Sequence, residues 1–175
     1  MVPSETAFAK LHSDAYLWAL ALCRYERDLA EETLQTSYAI AWEKRRSFRG
    51  DADLRTWLFA IIKNVVRTEL RRRRLRRLLH PWSIDDREPP DNPPAGASAP
   101  GAAAIDAIDV RRALRALAGR SERQHCVITL VFFEGASLQE AAQILGVSVG
   151  TARQHYHRGK VALRQLLREV GGPDD

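Results

Sequence analysis

The sequence predicts an all-α chain built as two small helical domains joined by a flexible, proline-rich linker. Three observations point there. Apolar residues recur at three- and four-residue steps through both halves, with little of the alternation that marks strands. Between the halves, residues 80–105 (HPWSIDDREPPDNPPAGASAPGAAAI) gather most of the prolines and many small residues, which remove backbone donors and bury little area. The chain has 175 residues, enough for two small domains, and its 45% hydrophobic content argues against wholesale disorder. The expected divisions are 5–79, 80–105 and 106–170.

In the first block, Phe8, Leu11, Ala15, Trp18 and Leu22 fall on one face of a first helix. Asp28 is placed to cap a second helix, whose inner face carries Leu34, Tyr38 and Ala41. Gly50 in RSFRGD breaks the pattern, and Asp53 can cap a third helix. On it Leu54, Trp57, Leu58, Ile61, Ile62 and Val65 form a wide apolar stripe that runs on into RRRRLRR. Trp57 lies on that stripe and reads as core; Phe59, off it, is the better candidate for exposure.

The second block starts near Asp106. Val110, Leu114 and Leu117 suggest a short helix interrupted by LAGRS, and Ser121 can cap the next, with Val127, Ile128, Leu130 and Val131. EGAS is a further break. LQEAAQILG, the turn VSV and GTARQHYHRGKVALRQLLREV then have the pattern of a helix-turn-helix. Ala142 is small where two helices approach closely, and Gly146 sits where the turn calls for a positive φ. Val147 and Val149 are expected to plug the core around the turn, with Ala152 and Tyr156 packing the last helix back.

The charge balance of 27 Lys and Arg against 22 Asp and Glu permits a nucleic-acid partner. Cys23 and Cys126 have no paired spacing, which excludes a disulfide framework or zinc ribbon and fits a reducing cytosol. The start MVPSETAFAK lacks a basic n-region, and the apolar run AYLWALALC is too short to span a bilayer. The expectation is a cytoplasmic protein without membrane insertion. No Gly-rich phosphate loop, HExxH or nucleophile elbow is present, so neither enzyme, cofactor nor metal is expected. His125, Cys126, His155 and His157 lack metal-ligand spacing; a core cysteine and phosphate-facing histidines explain them more simply.

The helix-turn-helix packing leaves Thr151, Arg153, Gln154, His155, His157 and Arg158 outward or along the edges. In a major groove Arg suits guanine and Gln adenine, while Lys160 and Arg164, further along, suit phosphates. On the third helix of the first block, Lys63, Arg67 and Arg71 share a face opposite the apolar stripe, with Asn64 at its edge. One or two cations would satisfy a helix C-terminus; arginines packed this densely repel, and a phosphate backbone relieves that repulsion. An extended linker of this length reaches roughly 80 Å at about 3.1 Å per residue, so two tethered readers can contact separate stretches of one duplex.

Three segments in order resemble the bacterial extracytoplasmic-function (ECF) RNA polymerase sigma factors. LAEETLQTSYAIAW is similar to the family's core-binding segment, FRGDADLRTWLFAIIKNVVRTELRRRR to its −10-reading and melting segment, and FFEGASLQEAAQILGVSVGTARQHYHRGKVALRQLL to its −35-reading domain. The resemblance implies a sigma region 2 bundle over 5–79 and a region 4 helix-turn-helix over 106–170. It implies that Glu31, Glu32, Gln35, Tyr38 and Trp42 dock on the β′ clamp helices of core polymerase, with a further contact to the β flap. Phe59, Lys63, Asn64, Arg67, Arg71 and Arg72 are then expected at the −10 region, and Thr151, Arg153, Gln154, His155, His157, Arg158 and Lys160 at the −35 element. Promoter DNA, core polymerase and an anti-sigma factor are the implied partners, and the acidic residues Asp85, Asp86, Glu88 and Asp91 an implied nucleic-acid mimic in the linker.

The sequence departs from the family pattern in places. Glu32 and Thr68 stand where Asp is usual, and Ala152 and Gln154-His155 depart from the usual recognition-helix residues, which bears on the promoter sequence read. A free-standing helix-turn-helix regulator is the alternative, distinguished by binding its duplex without polymerase. An interaction adaptor with an incidental basic patch is a further one.

Overall fold

The computed structural model describes residues 2–79 and 102–170. These form α1 (Glu5–Lys10), α2 (His12–Leu22), α3 (Arg27–Lys44), α4 (Leu54–Leu79), α5 (Ala102–Arg120), α6 (Glu122–Ile128), α7 (Leu138–Leu145) and α8 (Val149–Val170), with no strand among the described residues. The acidic linker residues Asp85, Asp86, Glu88 and Asp91 lie outside them.

The expected first helix is two. Leu11 leaves helical geometry at φ −93°, ψ 0°, and ends α1, whose start is capped by the Ser4 hydroxyl accepting from the Ala7 amide at 3.3 Å. This bend lets Phe8 meet the edges of Tyr38 and Trp42 while α2 buries Ala15, Trp18 and Leu22. Glu26, not Asp28, is the N-cap residue of α3, without a side-chain bond; Asp28 lies in the first turn, where a carboxylate favours the helix dipole. Asp53 does cap α4, its carboxylate accepting from the Arg55 amide at 3.1 Å, and Gly50 turns the preceding loop at φ 79°.

The burial of α4 differs from its apolar stripe. Leu58, Phe59 and Ile62 are fully buried and Val66 nearly so, whereas Leu54, Trp57, Ile61 and Val65 are half-buried. Phe59, expected at the surface, stacks on Trp18 with ring centroids 5.8 Å apart, and the Trp18 indole donates to its carbonyl at 3.2 Å. The reason is that α4 packs on two sides, against α2 and α3 and also against α7. Trp57 lies tilted against Phe48.

In the second unit α5 begins at Ala102, earlier than expected, and ends at Arg120, within the LAGRS stretch expected to interrupt it. Ser121 occupies the N-cap of α6 but makes no side-chain bond there. Past α6 the chain widens into a π-helical turn, Thr129–Phe133, which Gly135 ends at φ 63°.

The two units share their cores. Trp18, Leu34, Leu58 and Phe59 pack in one cluster with Cys126, Leu130 and Ile144 of the second unit. A smaller cluster around Leu114, Leu117, Ile128 and Leu166 receives Tyr25 from the α2–α3 turn. Burial raises the Cys23 thiol to about 11 and the Cys126 thiol to about 12, so both are protonated core residues.

Candidate nucleic-acid interface

The helix-turn-helix is fixed by local chemistry. Ser137 and Glu140 form a capping box: the Ser137 hydroxyl accepts from the Glu140 amide at 3.2 Å, and the Glu140 carboxylate from the Ser137 amide at 2.7 Å. These bonds hold the Glu140 carboxyl below the usual range. Gly146 closes α7 at φ 67°, and the Ser148 hydroxyl accepts from the Thr151 amide at 3.1 Å to start α8. Ala142 and Ala152 are buried as expected. Val149 is not a plug: it is 40% exposed, because the first turn of α8 projects past the α7 contact, and Val147 is half-buried.

From this scaffold α8 presents Arg153, Gln154, His157 and Arg158, all exposed and without a hydrogen bond or ion pair among the described residues. Thr151 is half-buried, its hydroxyl 2.8 Å from that of Ser148, and Lys160 lies over the Tyr156 ring at 4.6 Å. His155 departs from expectation. Both its ring nitrogens are buried and unpartnered, because position 155 turns toward the body of the unit rather than away from it. Burial, then Arg123 and Arg158, lower its pKa. Gly159 lets α8 cross α6 closely: a Cβ there would meet Ile128 Cγ1 at 2.8 Å.

The polar side chains of α4 divide between two grooves. Asn64, Thr68 and Arg72 line a cleft of about 380 Å³ against α3, together with Ile40 and Lys44. Lys63, Arg67 and Arg71 do share a face, but it turns toward the junction of the two units. Lys63 donates at 2.8 Å to the carbonyl of Ile144, in the last turn of α7, where a cation satisfies an orphan acceptor and the negative end of the helix dipole. Burial lowers its pKa. Within the arginine run, Arg73 bonds Glu26 at 2.6 Å and also meets Glu69 and Glu32.

On α3, Glu31, Gln35, Tyr38 and Trp42 follow one another at helical spacing along one face, with Glu32 beside it. Glu31 and Gln35 are exposed, and Trp42 is 45% exposed with the Arg45 guanidinium 3.9 Å over its indole. Tyr38 is half-buried, stacked on His12 with its hydroxyl 3.4 Å from Nδ1.

One tie between the units escaped the sequence reading. Arg55 donates to the Glu134 carbonyl at 2.6 Å and to its carboxylate at 3.1 Å, lies 3.4 Å from Asp14, and covers the Phe59 ring at 4.6 Å. Burial raises the Glu134 carboxyl and Arg55 draws it back. No spacing links residues so far apart in the chain. The capping box at Ser137 and Glu140 escaped the sequence reading too, although the local SLQE pattern carries that signal.

The Sigma-70 region 2 family model matches residues 7–76 and the Sigma-70 region 4 model residues 109–163. The chain is 28% identical over 163 residues to ECF RNA polymerase sigma factor SigX of Bacillus subtilis, covering 90% of this chain and 81% of SigX. It is 31% identical over 162 residues to ECF RNA polymerase sigma factor SigL of Mycobacterium tuberculosis, covering 90% of this chain and 85% of SigL. Among solved structures, the sigma factor RpoE of Bartonella quintana, in complex with the anti-sigma factor NepR, superposes with a TM-score of 0.75 at 27% identity over 94% of this chain and 98% of RpoE. Both sigma regions are thus present in order, on a scaffold shared along nearly the whole length, and the chain belongs to the ECF RNA polymerase sigma factors.

Proposed function

We propose that α8 reads the −35 element as duplex, that α4 engages the −10 region, and that the exposed face of α3 holds core polymerase. As a sigma factor the chain directs core RNA polymerase to promoters and is itself no enzyme. In this reading residues 5–79 act as region 2, 80–105 as the linker and 106–170 as region 4. The observation that carries it is the open basic face of α8: Arg153, Gln154, His157 and Arg158 are exposed, and unengaged among the described residues, at the start of the second helix of a helix-turn-helix. Thr151 and Lys160 flank that face. His155 and Phe59 are withdrawn, the one with its ring nitrogens covered and the other in the core.

For the −10 region, the α3–α4 cleft with Asn64 and Arg72 has the concavity and polar groups to take an unstacked base, while Lys63, Arg67 and Arg71 supply charge for phosphates. Glu31, Glu32, Gln35, Tyr38 and Trp42 form the surface for the β′ clamp helices, and the second unit meets the β flap. The protein works in the cytoplasm, beside the polymerase. Among the described residues no helix is long and apolar enough to cross a membrane. Control by an anti-sigma factor follows from the likeness to RpoE, solved with NepR.

Run-off transcription with core polymerase on a promoter library tests this. Start sites should be redirected to one −35/−10 pair, and a chain that neither joins core polymerase nor changes where RNA starts refutes the reading. Gel shifts with and without core polymerase separate it from a free-standing regulator, which binds its duplex unaided.

A further inference from the structure

We propose that the recess at the junction of the two units binds a small oligophosphate, a chain of phosphates either free or carried on a nucleoside. Its outer part, about 680 Å³, lies between the α2–α3 turn, α4 and the start of α6. Arg24, Arg67, Arg71 and Arg74 line it and have no acidic partner among the described residues, whereas Arg73 is neutralised by Glu26. Among the described residues Glu122 is the one unpaired carboxylate on its wall, so the lining there carries a surplus of positive charge. Arginines facing a concavity are the residues that grip phosphate oxygens through paired N–H donors.

The inner part, about 40 Å³, shares Arg24, Arg67 and Glu122 with the outer part and adds Lys63 and His125. His125 is 2% exposed, and its Nε2 is buried without a partner. A buried donor or acceptor left open costs free energy that an occupant can recover. Arg24 is brought to this place by a turn with positive φ at two successive non-glycine residues, Arg24 at 55° and Tyr25 at 67°. Tyr25 is held by its amide donating to the Leu20 carbonyl at 2.8 Å and by its packing in the second unit. The turn therefore points an arginine into the recess while its neighbour anchors the other side.

A volume of this order suits a nucleotide-sized ligand, and residues of both units line it. It lies on the opposite side of α4 from the Asn64 cleft. Binding does not depend on the promoter reading. One consequence does: because Arg67 and Arg71 serve both, an oligophosphate and −10 DNA compete.

Isothermal titration of the full chain with inorganic tripolyphosphate, ATP and inorganic phosphate tests this, without DNA or polymerase, in about 0.15 M salt to screen loose attraction. One saturable site for a triphosphate group is expected, with equal affinity for tripolyphosphate and ATP marking a free oligophosphate and tighter ATP a nucleoside carrier. Arg24→Gln and Arg74→Gln should each weaken it by about tenfold or more, while Arg46→Gln, exposed just past the end of α3, leaves it unchanged. Circular dichroism of each variant checks folding. Absence of saturable binding to either triphosphate overturns the site, as does equal weakening by Arg46→Gln. If the site binds but a −10 oligonucleotide does not displace the ligand, the assignment of Arg67 and Arg71 to promoter DNA fails and the recess stands.

Discussion

The polar faces of α4 and α8 are both basic, yet they stand in different states. On α8, Arg153, Gln154, His157 and Arg158 are exposed, with no hydrogen bond or ion pair among the described residues. On α4, Lys63 is committed to the Ile144 carbonyl, Arg73 to three carboxylates, and Arg67 and Arg71 line a recess walled by the second unit. The face proposed to read duplex is thus open as it stands. The proposed melting face becomes fully available only when the units part and the Lys63 and Arg55 ties are given up. On the proposed roles, the reader of intact duplex is preformed, whereas the surface for unpaired strands is partly covered by the second unit.

Four tests probe this contrast, in falling order of effect. Phe59→Ala should destabilise the fold by about 3–5 kcal/mol, since it opens a cavity beside Trp18. Chemical denaturation measures it; an unchanged midpoint with lost −10 selectivity would instead put Phe59 at the DNA. Arg153→Ala and Arg158→Ala should each cost about 1–3 kcal/mol of promoter discrimination with stability unaltered, read from competitive transcription on −35 variants. Uniform weakening on every sequence would make them phosphate contacts.

Glu134→Gln should weaken the tie to Arg55 by about 1–2 kcal/mol and loosen the closed arrangement. Small-angle scattering should then show a larger radius of gyration, and single-strand −10 binding should rise. A compact particle with unchanged binding breaks the idea that closure guards α4.

The smallest effect concerns pH. Burial, then Arg24, lowers the His125 pKa from 6.5 to about 4, so the unfolded chain takes the proton more readily than the folded one. Stability is retained above the unfolded value and falls as pH drops from there toward the folded one. Between pH 7 and 5.5 the loss should be about 1 kcal/mol. Melting curves of the wild type and His125→Gln should converge in slope if another group is responsible.

Much of this molecule was legible beforehand. The helix-turn-helix was readable because its determinants are local: Gly146 supplies the left-handed turn and Ala142 and Ala152 permit close approach. The break at Gly50 and the cap at Asp53 were readable for the same reason. The bend at Leu11 was not, because the spacing of Phe8, Ala15 and Trp18 is equally compatible with one straight helix. Val149 was misplaced because a turn valine is apolar whether or not a neighbour covers it.

By itself the sequence determined an all-helical chain, the kinship of both halves with sigma factors, and an arginine-dense helix, since periodicity, capping and charge act over a few residues. Tertiary structure alone decided that Phe59 is core, that the α4 cations split between two grooves, and that Arg24 turns into a recess while Tyr25 enters the other unit. A helix packed on one side announces its buried face in its own spacing. A helix packed on two sides does not, because the second face is chosen by a partner some eighty residues away, as the 79- and 81-residue separations of the Arg55 and Lys63 bonds show.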